Sequence, residues 1–394
     1  MIRPDVYIFN PTCEMAIANG TVAWQPSRFL RQFEIDLELL PMFTATESDW
    51  VIVEQLPSRD FIEKLNGEGF SIPSFILDRE LKKGDVRKIS KGALKPWGWS
   101  PALYHKFKSW QKSWGGQFKQ SPMLEWHDSV KELYSRETAL QVLRGVGEEL
   151  GWSKEKRYPK ACHNIEELVQ IHKENGQSMI KAPWSSSGRG VQPVVAEAID
   201  RQILKWSSSV LKQQGKIMIE PLLDRVLDFA FQFKYEKGKA SYLGTSWFFT
   251  DENGKYQGNW LKRPEQHLDS DVLNLIDFQE TKIVNALKKH LELRFSDNYE
   301  GYLGVDAMVY RTGSGKLEIQ PCMEINVRMN MGILAMELEK VVGENYDAMR
   351  VVNRQQEEKE SETTRLESRG IIRKRFPLTE VLENTLFYAE LVKF

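Results

Sequence analysis

The sequence has only three cysteines, Cys13, Cys162 and Cys322, in 394 residues, and only six histidines. An odd number of widely separated thiols offers no disulfide framework, and no histidine falls near them at zinc-ligand spacing. Both scarcities fit a reducing, cytoplasmic setting. Long apolar runs are missing as well. Nothing approaches the roughly 18 apolar residues of a membrane span, and the opening "MIRPDVYIFNPTCEMAIANG" interrupts any signal-type apolar region with Asp5, Asn10 and Glu14. The formal net charge of -1 gives no general pull toward nucleic acid or a lipid surface. No internal repeat occurs, and no Ser-His-Asp or Cys-His constellation can be defended.

What is present reads as an α/β protein of two or three domains, long enough to bury a substantial core. "DVYIFN" (5–10) and "DWVIVEQ" (49–55) are short strand-like runs flanking a helical stretch near "SRFLRQFEIDLELL". From Lys82 to Lys119 ten Lys/Arg face a single acid, Asp85, and the region 80–127 carries five of the twelve tryptophans: Trp97, Trp99, Trp110, Trp114 and Trp126. Free coil avoids tryptophan, so this basic segment is expected to wrap onto the body. "SRETALQVLRGVGEELGW" has helical periodicity, with Ser135 as N-cap and Gly151 as stop. "SMIKAP" (178–183) and "KIMIEPLL" (216–223) read as buried strands bracketing a helix at "DRQILKWSSSVLKQ". A hairpin is expected over 228–249, turning at "EKGK", then a helix over 272–293 and a second hairpin over 301–332, turning at "TGSG". The charged run 353–369 reads as solvated helix or disorder.

Two stretches carry chemistry. In "IKAPWSSSGRGV" (180–191), small residues expose backbone N–H groups and hydroxyls, and Lys181 and Arg189 add positive charge, a combination suited to an anion such as phosphate. It is neither a Walker A loop nor a dinucleotide fingerprint, and a plain solvated connection between strands is the competing reading. In "MEINVRMN", alternation puts Met323, Ile325, Val327 and Met329 on one face and Glu324, Asn326, Arg328 and Asn330 on the other. Glu and Asn are poor strand residues. With Asp306 opposed across the hairpin they form an oxygen-only cluster of the kind Mg2+ prefers, against the alternative of an ordinary polar face.

The succession of Lys181 with its Ser/Gly loop, Glu220 after an apolar strand, an acid at Asp228, Asp306 in a hairpin, then Glu324 and Asn326, resembles the ATP-grasp superfamily. The resemblance covers roughly 130–345, and "SSSGRG" is similar to the phosphate loop of the formate-dependent glycinamide ribonucleotide transformylase branch. It implies an ATP-grasp fold preceded by a small Rossmann-like α/β domain. The expected division is 1–95 for that domain, 96–130 for the basic connecting segment, 131–345 for the ATP-grasp domain with its hinge near 217–222, and 346–394 for a C-terminal segment with a charged linker.

The resemblance also implies roles and cofactors, namely ATP with Mg2+ or Mn2+. Lys181 would reach the α- and β-phosphates, with Ser185, Ser186, Ser187, Gly188, Arg189 and Gly190 closing over the triphosphate. Glu220 and its neighbours through Leu222 would bind adenine largely through backbone groups, and Asp228 would bind the ribose, one residue further from the hinge than expected. Asp306, Glu324 and Asn326 would be the metal ligands. Arg136, just inside a helix N-terminus where its charge opposes the dipole, would meet a phosphate or point into water. Arg328 would steady the transferred phosphoryl group, or else pair with Glu324.

The implied activity is that of an ADP-forming ligase, which activates a carboxylate as an acyl phosphate and joins it to an amine or similar nucleophile. A small-molecule kinase on the same fold and a non-catalytic nucleotide-binding protein are the alternatives. The expected partners are a small carboxylate and an amine; a homodimer is compatible with the sequence, a membrane is excluded, and single-stranded nucleic acid on the Lys/Trp segment ranks low. Asn10, Cys13 and Glu14, or Asn259, Lys262 and Arg263, are thinly supported acceptor contacts, and the substrates themselves are not readable.

Overall fold

Four short runs rich in Val, Ile and Leu assemble the first sheet. Strands β1 (Val6–Ile8), β2 (Trp50–Val53), β3 (Ser74–Leu77) and β4 (Leu94–Pro96) lie parallel in the order β3-β2-β1-β4. The computed structural model describes residues 3–81, 92–108, 128–152, 158–185, 190–250, 256–296, 298–357 and 372–394. Helices α1 (Cys13–Asn19), α2 (Arg28–Asp36) and α3 (Arg59–Gly67) fall between the strands, and α4 (Pro101–Lys108) packs on α1. Of the tryptophans in the basic segment, Trp97 and Trp99 are buried as expected, whereas Trp110, Trp114 and Trp126 lie outside the described residues.

A short helix α5 (Asp128–Leu133) leads into α6 (Arg136–Glu149). Ser135 caps α6, its Oγ accepting the N–H of Glu137 at 3.1 Å, and Gly151 in the left-handed region (φ 67°) closes it, as the sequence predicts. The second sheet is antiparallel, in the order β5-β8-β6-β7. It holds β5 (Lys160–Cys162), β6 (Ser178–Lys181), β7 (Val191–Val194) and β8 (Ile217–Pro221), with helices α7 (Ile165–Asn175) and α8 (Arg201–Gln214). The Ser/Gly stretch is thus the loop of a β6–β7 hairpin, and β7 is a strand that periodicity alone does not disclose.

The third sheet has eight antiparallel strands in the order β13-β12-β9-β10-β11-β14-β16-β15. These are β9 (Asp224–Glu236), β10 (Lys239–Thr250), β11 (Tyr256–Trp260), β12 (Gly301–Arg311), β13 (Leu317–Asn326), β14 (Ala348–Asn353), β15 (Lys374–Pro377) and β16 (Phe387–Lys393). The β9–β10 turn is a two-residue one at Lys237 and Gly238, both with positive φ (51° and 73°), which suits the right-handed twist of the flanking strands. Three helices accompany the sheet: α9 (Ser270–Phe295), α10 (Met331–Val342) and the single turn α11 (Arg354–Glu357). The rest of the charged run, 358–371, lies outside the described residues. Strands β14 to β16 place the C-terminal segment in the same sheet as β9 to β13.

Alternation along β9 explains how one sheet serves both core and site. Phe229, Phe231, Phe233 and Tyr235 are fully buried and pack with Ile283, Leu287, Leu291 and Phe295 of α9. Each such side chain contributes about 1.5 to 3 kcal/mol by burial. Asp228, Ala230 and Gln232 therefore point to the opposite face. Among the described residues no helix is long and apolar enough to cross a membrane.

Candidate active site

The polar face of the third sheet gathers the carboxylates. Asp306 of β12 lies directly opposite Glu324 of β13, and Asn326 donates its Nδ2–H to Asp306 Oδ1 at 3.0 Å. Burial pushes the Asp306 carboxyl up to about 8, with the Glu324 charge adding to the rise. A carboxyl so placed keeps a proton at neutral pH unless a cation replaces it. Among the described residues no three Asp, Glu, His or Cys side chains converge as a metal-binding group. The candidate donor set is therefore two carboxylates and the amide oxygen of Asn326, hard oxygen ligands that suit Mg2+ with waters completing its shell. Asn326 Oδ1 accepts from Arg328 Nη2 at 2.9 Å, so joining a cation on Asp306 would call for rotation of the amide about its soft terminal torsion.

The polar face ends sooner than the alternation of "MEINVRMN" predicts. Strand β13 stops at Asn326, and Asn330 is buried instead as the N-cap of α10, its Oδ1 accepting from Gly332 N and Ile333 N at 2.9 and 3.1 Å. Its Nδ2 donates to Gln232 Oε1 at 2.9 Å, and Gln232 Nε2 donates to Ser246 Oγ at 2.8 Å.

Arg136 is inside the cluster, not in water. Its side chain is 7% exposed, Nη2 donates to Glu324 Oε2 at 2.8 Å, and Nη1 donates to Ala182 O at 2.6 Å and to Ser185 Oγ. Its backbone N–H donates to Pro183 O at 3.0 Å. The first residue of α6 thus fastens the base of the Ser/Gly loop to the carboxylate strand.

Arg328 does not pair with Glu324. Its carboxylate partner is Glu14 of α1, with Nη2 on Oε2 at 3.2 Å and Nε beside Oε1 at 3.1 Å. Burial works against the guanidinium charge, but its neighbours, Glu14 first and Asp306 among them, together outweigh it and hold Arg328 above its usual range; burial also raises Glu14, against the pull of Arg328. The first sheet supplies the backing. Asn10 at the end of β1 donates to Gly98 O at 2.6 Å and accepts from Gly98 N at 3.2 Å. Only glycine fits at Gly98, since a Cβ there would stand 2.3 Å from Cys13 Sγ and 3.1 Å from Arg328 Cβ. Of Asn10, Cys13 and Glu14, Glu14 is the one that enters the charged cluster.

Lys181, the last residue of β6, forms an ion pair with Glu220 of β8, and both are about nine-tenths buried. At the loop base Ala182 N donates to Gly190 O at 2.7 Å, and a Cβ on Gly190 would meet Ser185 Cβ at 2.3 Å. Ser186, Ser187, Gly188 and Arg189 lie outside the described residues. Trp184 anchors the near side: its Nε1 donates to Lys131 O at 2.9 Å, and Lys131 and Lys216 sit over its ring at 4.6 and 5.3 Å. At the hinge one backbone donor is engaged. The Leu222 N–H donates to Gln177 O at 3.1 Å, so it is already used by the fold. Asp228 accepts from Arg225 Nη1 at 3.1 Å, and burial raises its carboxyl against that partner.

The other acceptor candidates each have a partner within the fold. Asn259 donates to Trp247 O at 3.2 Å, Lys262 pairs with Glu344, and Arg263 donates to Asp277 at 2.6 Å. Two open concavities of about 570 and 620 Å³ lie along α9, away from the carboxylates. They hold no convergent acid–base set, and the charged cluster is the better site on chemistry.

No protein-family model matches the sequence, and no curated protein matches it in sequence. In three dimensions the chain is similar to N5-carboxyaminoimidazole ribonucleotide synthetase in its ADP complex, at 10% identity and a TM-score of 0.50, covering 100% of this chain and 94% of that one. It is likewise similar to biotin carboxylase from Campylobacter jejuni in a β-γ-ATP complex, at 13% identity and a TM-score of 0.50, covering 99% and 87%. The chain has the ATP-grasp fold, behind a parallel α/β sheet, as the order of its motifs implies.

Proposed function

We propose that this protein is an ADP-forming ATP-grasp ligase that activates a small carboxylate and joins it to an amine or similar nucleophile. The observation that carries the reading is the meeting of Asp306, Glu324 and Asn326 on one sheet face with Arg136 and Arg328, which arrive from a helix N-terminus and from the turn after β13. Phosphoryl transfer asks for positioning and charge neutralisation rather than a protein nucleophile, and this set supplies both.

Asp306, Glu324 and Asn326 would hold Mg2+, which when bound neutralises phosphate charge and orients the transferring group. Lys181, Arg136 and the loop from Ser185 to Gly190 would hold the phosphates, Glu220 and the backbone of 219–222 would face adenine, and Asp228 the ribose. With the Leu222 N–H already engaged, adenine would rely on the other backbone groups of that stretch. A carboxylate oxygen of the substrate then attacks the γ-phosphorus, the bond to the β-phosphate oxygen breaks, and ADP leaves. The nucleophile's lone pair next attacks the acyl carbon, phosphate departs, and the nucleophile's proton passes to solvent. Arg328 would steady the phosphoryl group in transit.

The test is a screen of metabolite carboxylates and amines for thermal shift with Mg-ATP, followed by labelling of the acceptor carboxylate with heavy oxygen. The expected result is one labelled oxygen in the released phosphate. Phosphate retained on the product would identify a kinase, pyrophosphate release an acyl adenylate route, and absence of turnover with every acceptor a binding protein.

A further inference from the structure

Resting on the nucleotide reading of this site, we infer that Arg136 makes metal binding and phosphate binding interdependent by acting as the counter-ion that each must displace it from or recruit. Three contacts of one side chain carry the inference. Nη2 donates to Glu324 Oε2 at 2.8 Å, on the strand of the candidate metal ligands, and Nη1 donates to Ala182 O at 2.6 Å and to Ser185 Oγ, at the base of the candidate phosphate loop. Its Nε–H, in a side chain only 7% exposed, has no acceptor among the described residues. Buried N–H groups are seldom left unpaired in folded proteins. The guanidinium that holds the base of the loop through Nη1 thus also carries an unused donor.

The electrostatics follow. A cation seeking Glu324 competes with a guanidinium already hydrogen-bonded to that carboxylate. An anion arriving at Ser185 competes with Glu324 for Arg136. When the anion takes Arg136, Glu324 loses part of its counter-charge and becomes a stronger cation ligand; when a cation takes Glu324, Arg136 becomes a stronger anion donor. Linkage makes the two effects equal in free energy. The competition beneath this coupling is separate from any direct bond between metal and phosphate, because a single ligand bound alone already has to disturb the Arg136–Glu324 pair.

That property fixes the experiment. Mn2+ alone is titrated into the wild type and Arg136→Gln, followed by the electron paramagnetic resonance of free Mn2+. Arg136→Gln is expected to bind Mn2+ about tenfold more tightly, within the usual range of coupling factors. Unchanged or weaker binding in a folded variant overturns the inference, since a merely structural arginine, or one acting only through the bound nucleotide, predicts no tightening. The reciprocal measurement uses Glu324→Gln with ADP in excess chelator. Removing the carboxylate should tighten metal-free ADP binding several-fold, and unchanged affinity counts against the coupling even if Arg136→Gln fails to fold. If ADP binds neither wild type nor Glu324→Gln, the nucleotide reading falls, and the Mn2+ comparison still decides the role of Arg136.

Discussion

Two buried polar groups of side chains lie close together on the polar face of the third sheet, and they are built on opposite plans. The first, Gln232 with Ser246 and Asn330, is neutral and closed: each amide is paired, and Asn330 also caps α10. There is no spare room around it. A Cβ at Gly332 would stand 2.3 Å from Ser246 Oγ, and one at Gly304 would stand 2.6 Å from Asn330 Nδ2. The second, Asp306 with Glu324, Asn326, Arg136, Arg328 and Glu14, is charged, and its members come from α1, α6, β12, β13 and the turn beyond β13. Burial opposes its charge, raising both Asp306 and Glu14. The neutral network holds backbone, whereas the charged cluster keeps groups whose partners can be exchanged. Burial of polar atoms therefore does not mark a site; burial of charge on partners from separate elements does.

The comparison breaks first under substitutions in the charged cluster. Asp306→Asn and Glu324→Gln should each lower ATP turnover by roughly a thousandfold or more, about 4 kcal/mol in the transition state; the urea unfolding midpoint should move little for Asp306→Asn, whereas Glu324→Gln also takes the carboxylate partner from buried Arg136 and should lower it. Asp306 is a carboxyl that burial already disfavours as an anion, so its amide has no reason to destabilise the fold. Turnover retained at low Mg2+, or collapse of the fold, would transfer this residue to the structural class.

The neutral network should show the reverse pattern. Gln232→Leu leaves Ser246 and Asn330 without their partner, and Gly332→Ala drives a methyl into Ser246. Each should cost about 2 to 4 kcal/mol of stability, read from denaturant unfolding. Metal affinity of the folded fraction should stay within about twofold, a change of only some 0.4 kcal/mol; a larger loss would show that the network also shapes the metal ligands.

The difference between the two groups bears on what the sequence discloses. Local rules placed Ser135 as the cap of α6, the turn at Lys237 and Gly238, and Asp306 across from Glu324, because caps, turns and strand alternation are written in neighbouring residues. The partners of the cations were not legible. Arg328 meets Glu14 from 314 positions away and Arg136 meets Glu324 from 188, and no local pattern encodes which carboxylate a guanidinium reaches. The placing of Asn330 on the polar strand face failed because alternation holds only as long as the strand, and β13 ends at Asn326. Strands β14 to β16 escaped for a related reason: their identity rests on pairing with distant β11 and with each other.

A third prediction tests the nucleotide side. Lys181→Ala should weaken Mg-ADP binding by roughly 1.5 to 3 kcal/mol, the scale of a charge-assisted phosphate contact, measured by calorimetry. Because Glu220 would lose its ion-pair partner, comparing the double variant with Glu220→Gln alone separates lost affinity from lost stability. Unchanged affinity in the folded double variant would remove Lys181 from the phosphate site.

The smallest effect concerns a buried carboxylate of a third kind, tied to backbone rather than to side-chain cations. Glu38 accepts the N–H of Glu54 at 2.7 Å and of Gln55 at 3.1 Å, just beyond β2. Burial raises its carboxyl to about 7, the two backbone donors only partly opposing it. A carboxyl raised in the folded state binds more protons there than in the unfolded chain, so its share of stability is complete below about pH 4.3, the unperturbed glutamate value, and fades as pH climbs through 7. One unit of displacement is worth about 1.4 kcal/mol. Since relaxation around the ionised group recovers part of that, a loss on the order of 1 to 2 kcal/mol between pH 5 and 8 is expected from Glu38 alone. Glu38→Gln should flatten this part of the unfolding profile even if it lowers stability at every pH, because an amide cannot titrate. The same slope in Glu38→Gln and wild type would show that two backbone N–H groups suffice to keep a buried carboxylate charged, and that a charge held by backbone titrates no differently from one in water.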